Sequence, residues 1–225
     1  SEVKQLKEFI EDVGHFSLVR NFRLADCVTI MNGVCGSLSV FNCGKYLITQ
    51  ERSYLWIALW APLAGMFFDL FDGKIARWRK ESSMLGQELD SLADSISFGV
   101  APAFLAFTIG CRSTLDIFAL ATFICCGIAR LARFNATVAL LPKDSTGKSK
   151  FFEGLPIPSS LVLVGCMSYC VWNNYIEGPN GIGAGLPGGF ISALEKTPLE
   201  MHWFSIIFVI WAALMISKTL HIPKP

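Results

Sequence analysis

Six apolar stretches, each close to the ~20 residues a helix needs to cross a bilayer, take up most of this 225-residue sequence. They run approximately from Asp26 to Cys43, Tyr54 to Ile75, Leu89 to Gly110, Leu115 to Leu131, Ile157 to Trp172 and Met201 to Ile216. In hydrocarbon every backbone polar group must be satisfied internally, so stretches of this kind fold as helices. Composition agrees, with 52% hydrophobic and 16% charged residues, where a soluble domain carries about 25% charge. The expected fold is an all-α polytopic membrane protein whose six transmembrane helices occupy residues 25–220. Ahead of them, Val3, Leu6, Phe9, Ile10 and Val13 recur at helical spacing opposite Lys4, Lys7, Glu8, Glu11 and Asp12. Residues 1–24 therefore read as an amphipathic juxtamembrane helix, lying on the membrane or on the protein's own cytoplasmic loops.

The basic residues orient the chain. With a cytoplasmic N-terminus, fifteen of the nineteen Lys and Arg fall inside, and only Lys45, Arg52, Arg112 and Lys196 fall outside. Net charge is +1, which gives no field for nucleic acid. Trp56, Trp60, Trp172 and Trp203 suit an aromatic belt. The eight cysteines form no CxxC pair, lie mostly within apolar stretches and read as packing residues. His15, His202 and His221 are scattered and form no ligand set, and His202 reads as interfacial on the outer side.

Against this background four aspartates stand out: Asp69, Asp72, Asp90 and Asp94. A carboxylate at the centre of a membrane helix costs about 2.5–3.5 kcal/mol even on an insertion scale. On helices, Asp69, Asp72 and Ala76 share one face, and Asp90 and Asp94 share another. Two such faces turned together surround one cavity on the cytoplasmic side. Divalent cations, Mg²⁺ or Mn²⁺, take hard oxygen ligands and neutralise such a cluster. Two of them about 3.5–4 Å apart clamp a pyrophosphate for displacement. Gly73, Ala76 and Gly86 keep bulk away from the same region. Asp94, last in the pattern and deepest in its span, is the candidate general base. The competing reading pairs the acids with Lys74, Arg77, Arg79 and Lys80 in a solvated loop. It fits Asp90 and Asp94 poorly, because Ile96, Phe98, Val100 and Phe104 follow at once. A metal-ion channel or transporter would spread its acidic residues along a path over several spans, whereas here they cluster on two.

The arrangement Asp69-x2-Asp72-Gly73-x2-Ala76-Arg77-x8-Gly86-x3-Asp90-x3-Asp94 resembles the signature of the CDP-alcohol phosphotransferase family at every fixed position. The resemblance implies a six-helix membrane enzyme that displaces CMP from a CDP-linked lipid with an alcohol. It further implies that Asp69, Asp72, Asp90 and Asp94 hold two divalent ions, that Asp94 is also the base, and that the residues around Gly73, Ala76, Arg77 and Gly86, with Asp69 and Asp90, cradle the CDP moiety. Thr29 and Asn32, polar on one face of the first span, could reach the nucleotide or bond another helix.

Four further segments are similar to members of the family that use serine: Ala25 to Gly36, Asp90 to Pro102, Ala129 to Asn135 and Phe152 to Pro158. The implied reaction joins CDP-diacylglycerol and L-serine into phosphatidylserine and CMP, as in fungal endoplasmic-reticulum members. Inositol or glycerol 3-phosphate is the alternative alcohol. Serine's carboxylate calls for a guanidinium fork, and Arg130 and Arg133 sit at the cytoplasmic end of the fourth span. The resemblance adds Phe134 to Arg133 as a serine contact, and it implies a homodimer among membrane lipids. No Ser, Cys or His stands out as an activated nucleophile, which favours direct attack over a covalent phosphatidyl-enzyme.

Overall fold

In a computed structural model of the chain, the structure describes residues 24–79, 84–140, 151–178, 183–191, 200–217 and 221–223. The expected amphipathic helix over residues 1–24 lies almost wholly outside them, as do Lys143, Lys148 and Lys150.

Every predicted apolar stretch is helical, and most helices run longer than hydropathy alone suggested. Helix α1 spans Leu24–Thr49 and α2 spans Arg52–Arg79. Only two residues join them, with Gln50 at φ 60° and its N–H bonded to the Tyr46 carbonyl at 2.8 Å. So short a link makes the two helices antiparallel neighbours. The third span is α3, Met84–Asp94, followed without a break by a π-helical stretch, Ser95–Val100, and α4, Ala101–Ile109. Helix α5 covers Thr114–Leu140, α6 covers Leu161–Trp172 after a 3-10 turn at Ile157–Ser160, and α7 covers Trp203–Ile216. Among the described residues four helical stretches are long and apolar enough to cross a membrane, namely Ala25–Thr49, Arg52–Ile75, Leu85–Ile109 and Thr114–Ala136. The fifth and sixth are shorter apolar helices, Ile157–Trp172 and Trp203–Ile216. Among the described residues a pair of three-residue strands, β1 (Phe151–Glu153) and β2 (His221–Pro223), pairs antiparallel beside the helices.

Two prolines explain local features that hydropathy does not show. Pro62 lies inside α2 and has no N–H for the Ala58 carbonyl one turn earlier. That carbonyl receives the buried Ser39 hydroxyl of α1 instead, at 2.7 Å. A membrane helix keeps an internal proline when a neighbouring Ser or Thr satisfies the freed backbone group in this way. Pro102 likewise cannot bond the Phe98 carbonyl. Just before it the helix widens, and the Ala101 N–H reaches back five residues to Ile96. The widened segment is seated on α1. A Cβ on Gly36 would lie 2.6 Å from the Ser97 hydroxyl and 2.8 Å from its backbone nitrogen, so only glycine permits this approach.

The apolar core gathers around α4, α5, α6 and α7. Phe98, Leu105, Ile109, Phe123, Leu163, Met167 and Phe208 are fully or almost fully buried there. Phe123 and Phe208 meet edge to face at 5.3 Å between ring centroids. At one end of the core a polar knot ties α5 to α7. Asp116 is buried and accepts bonds from the Ser113 and His202 backbone N–H groups, from the Ser205 hydroxyl at 2.7 Å and from His202 Nδ1 at 2.6 Å. His202 Nε2 faces Glu177 at 3.3 Å. His202 is buried, held just outside α7 as its N-cap.

Replacing Ser39 by Ala leaves the Ala58 carbonyl without a partner in a dry helix pair. The expected loss is about 1–3 kcal/mol, read as a lower melting temperature of the purified protein in detergent. A melting temperature equal to wild type would show that the Ala58 carbonyl is satisfied some other way.

Candidate metal and substrate site

The predicted site residues come together where four helices meet at the end of the bundle opposite the Asp116 knot. Contributions come from the N-terminal third of α1, the C-terminal third of α2, all of α3 and the C-terminal half of α5. The short α1–α2 link and the continuous third span bring the two acidic faces onto one flank of α1.

Asp69, Asp72 and Asp90 form the centre, each offering a carboxylate oxygen within 4.8 Å of the others. Asp72 is buried, and Asp69 and Asp90 are partly so. Three hard oxygen donors at this spacing suit Mg²⁺ or Mn²⁺. The Asp90 Oδ1 atom is buried and has no hydrogen-bond partner among the described residues. An unpaired carboxylate oxygen in such a place is what a cation ligand looks like before the cation is added. Asp94 is buried beside this trio, facing Asp69 at hydrogen-bonding range, and stands outside the three-acid cluster itself.

Helix α1 supplies the polar wall. Thr29 and Asn32 are buried. The Thr29 hydroxyl donates to Asp72 Oδ2 at 2.5 Å and lies 3.1 Å from its own helix's Ala25 carbonyl. Asn32 Nδ2 donates to Asp94 Oδ1 at 3.0 Å. One turn before Thr29, Asp26 is buried close enough to Asp72 to act on its charge. Asp26 was not among the sequence-predicted site residues. Its signal is the 26, 29, 32 or 33, 36 spacing, which places it on the same helix stripe. Gly33 continues this stripe, where a Cβ would come 3.6 Å from the Ala93 side chain.

The arginines of α5 part company. Arg130 is buried, lies 5.8 Å above the Phe134 ring and is close enough to Asp94 for their charges to interact. Arg133 is partly exposed, and its Nη1 approaches the Ile216 carbonyl at the end of α7 at 3.4 Å. Helix periodicity left both free to face one way; packing turns one toward the acids and the other toward α7. Asn135 donates through Nδ2 to the Ser91 hydroxyl at 3.0 Å and so fastens this stretch of α5 to α3 between Asp90 and Asp94. Sequence reading missed that role, since a lone Asn carries no periodic signal. Gly73 lies beside Asp72 on α2, and Gly86 is in the first turn of α3. Ala76 and Arg77 occupy the last turn of α2, and their side chains lie outside the described set.

The family model for CDP-alcohol phosphatidyltransferase matches residues 22–211. The CDP-diacylglycerol–serine O-phosphatidyltransferase of Saccharomyces cerevisiae is 48% identical over 221 residues, covering 98% of this chain and 77% of the yeast protein. The protein of the same name from Bacillus subtilis is 35% identical over 133 residues, 58% of this chain and 67% of that one. An archaetidylserine synthase from Methanothermobacter thermautotrophicus is 35% identical over 144 residues, 63% of this chain and 55% of its own length. The matched span contains every helix that contributes to the acidic site, and the chain belongs to the CDP-alcohol phosphatidyltransferase family.

Proposed function

We propose that this membrane protein transfers the phosphatidyl group of CDP-diacylglycerol to L-serine, giving phosphatidylserine and CMP. The observation that carries the reading is the buried group of Asp69, Asp72 and Asp90 with Asp94 at its side, inside a chain 48% identical to a serine phosphatidyltransferase.

Asp69, Asp72, Asp90 and Asp94 would hold two divalent ions, Mg²⁺ or Mn²⁺. Bound there, the ions screen the pyrophosphate charge and stabilise the departing phosphate. The CDP-lipid lies along Gly73, Ala76, Arg77 and Gly86, with Asp69 and Asp90 beneath it and Thr29 and Asn32 at the wall. Serine enters from the α5 side, its carboxylate met by the guanidinium groups of Arg130 and Arg133 and its body set against Phe134. Asp94 takes the proton from the serine hydroxyl as that oxygen bonds to the phosphatidyl phosphorus. The bond from that phosphorus to CMP breaks in the same displacement, and CMP leaves with the electron pair. Asp94 suits this role because its Oδ1 is occupied by Asn32, which leaves Oδ2 for the proton.

The fifteen-to-four distribution of basic residues supports a site facing the cytoplasm. The resemblance to fungal endoplasmic-reticulum members of the family supports residence in that membrane. The exposed aromatic and aliphatic residues, among them Phe41, Trp60 and Phe118, fit a protein embedded in lipid, and the family resemblance supports a homodimer.

The deciding experiment gives purified protein CDP-diacylglycerol and Mn²⁺ and measures CMP release with L-serine, inositol or glycerol 3-phosphate, with and without EDTA. Release with serine alone, abolished by EDTA, is expected; release only with another alcohol would move the substrate assignment. Asp94→Asn should lower turnover at least 100-fold, in the range a general base contributes, while CDP-diacylglycerol still binds. Turnover at the wild-type rate would remove Asp94 from the chemistry. Arg133→Lys should raise the KM for serine with little change in kcat, because an ammonium cannot reproduce the planar fork. An unchanged KM would place serine recognition elsewhere on α5.

A further inference from the structure

Asn32 is buried completely, yet only one end of its amide is used. Nδ2 donates to Asp94, while Oδ1 has no hydrogen-bond partner among the described residues. An ionised carboxylate only accepts, so the amide must turn its NH₂ toward Asp94 and its carbonyl away. The carbonyl then faces α2 at Gly65, where a Cβ would come within 2.7 Å of Oδ1. The backbone carbonyl of Asn32 is also engaged, accepting the Ser97 hydroxyl at 2.7 Å from the π-helical segment that follows Asp94. One residue of α1 therefore holds both the Asp94 carboxylate and the Ser97 side chain three residues beyond it.

If Asn32 served only to pack helices, an apolar residue of its size would do better, since it would leave no buried carbonyl without a partner. The orphan is tolerated, and a glycine is placed against it, so that the NH₂ can stay on Asp94. We infer that Asn32 is a positioning residue: it fixes the Asp94 carboxylate by one oxygen so that the other points to the cluster and the substrate hydroxyl. This rests on the functional reading above and goes beyond it, because it moves Asn32 from the nucleotide wall to the support of the base. A partner that orients a metal ligand typically changes metal affinity or activity by 10–100-fold when lost.

The test compares full-length wild type with Asn32→Leu, Ser39→Ala and Gly65→Ala. Mn²⁺ affinity is measured by electron paramagnetic resonance of free Mn²⁺, and kcat and the serine KM by CMP release. Asn32→Leu should weaken Mn²⁺ binding or lower kcat by 10–100-fold with the serine KM within about twofold. Ser39→Ala removes another buried α1-to-neighbour hydrogen bond, far from the acids, and should lower the melting temperature while leaving Mn²⁺ affinity as in wild type. Should Asn32→Leu fail to fold, Gly65→Ala decides, since its methyl displaces the amide without removing a polar atom and should weaken Mn²⁺ binding or kcat in the same direction. Wild-type Mn²⁺ affinity and kcat in a folded Asn32→Leu protein would overturn the assignment. So would equal losses of Mn²⁺ affinity in Asn32→Leu and Ser39→Ala, which would mark a packing role. Failure of the functional reading looks different: the wild-type protein itself would then neither bind Mn²⁺ nor release CMP.

Discussion

Carboxylates buried at one end of an apolar helix bundle impose the arrangement of everything around them. Each must be met by a donor, a cation or water, because an unpaired charge in such surroundings costs several kcal/mol. Helix α1 provides the donors, Thr29 for Asp72 and Asn32 for Asp94. To do so it must lie very close to α3 and α2, which explains the small residues at the crossings, Gly33 and Gly36 against Ala93 and Ser97, and Gly65 against Asn32. The acidic motif on α2 and α3 thus depends on an α1 whose sequence looks, taken alone, like an ordinary membrane span.

The bundle is divided along its length by polarity. Its middle and far half hold the aromatic and aliphatic core of α4, α5, α6 and α7, closed at the far end by the Asp116–His202–Ser205 knot. Both ends contain buried aspartate, but the two are solved differently. Asp116 has four protein donors around it and its valences are filled. Among the described residues Asp90 keeps an oxygen without a hydrogen-bond partner, and it belongs to a trio of carboxylates within 4.8 Å of one another. A filled aspartate needs no further partner, whereas a group of three with an unfilled oxygen suits a cation. That contrast within one molecule separates the two sites better than burial does.

Much of the fold was legible because hydrocarbon leaves a chain few choices. Every apolar stretch proved helical, from Asp26–Cys43 within α1 to Met201–Ile216 around α7. Length was harder to read, since α2 and α5 continue through polar residues that hydropathy assigns to loops. The π-helical stretch after Asp94 was invisible until Pro102 was seen in its packed setting. Among site residues, the four aspartates declared themselves by their cost and spacing. Asn135 did not, nor did His202 in the far knot, since each takes its role from partners far away in sequence, Ser91 and Asp116.

The sequence by itself determined that this chain is a bundle of membrane helices carrying a carboxylate site on its second and third spans. Apolar length, charge asymmetry and the spacing of Asp69, Asp72, Asp90 and Asp94 are local properties, and local properties survive without coordinates. Only the tertiary structure decided how those acids are used. It gathered three of them within 4.8 Å, gave the fourth to Asn32, and turned Arg130 toward the acids and Arg133 toward α7. Those outcomes depend on how closely helices approach and which side chains then fill the gap. Such contacts join residues as far apart as Asn32 and Asp94, 62 positions along the chain, and no periodicity within one helix encodes them.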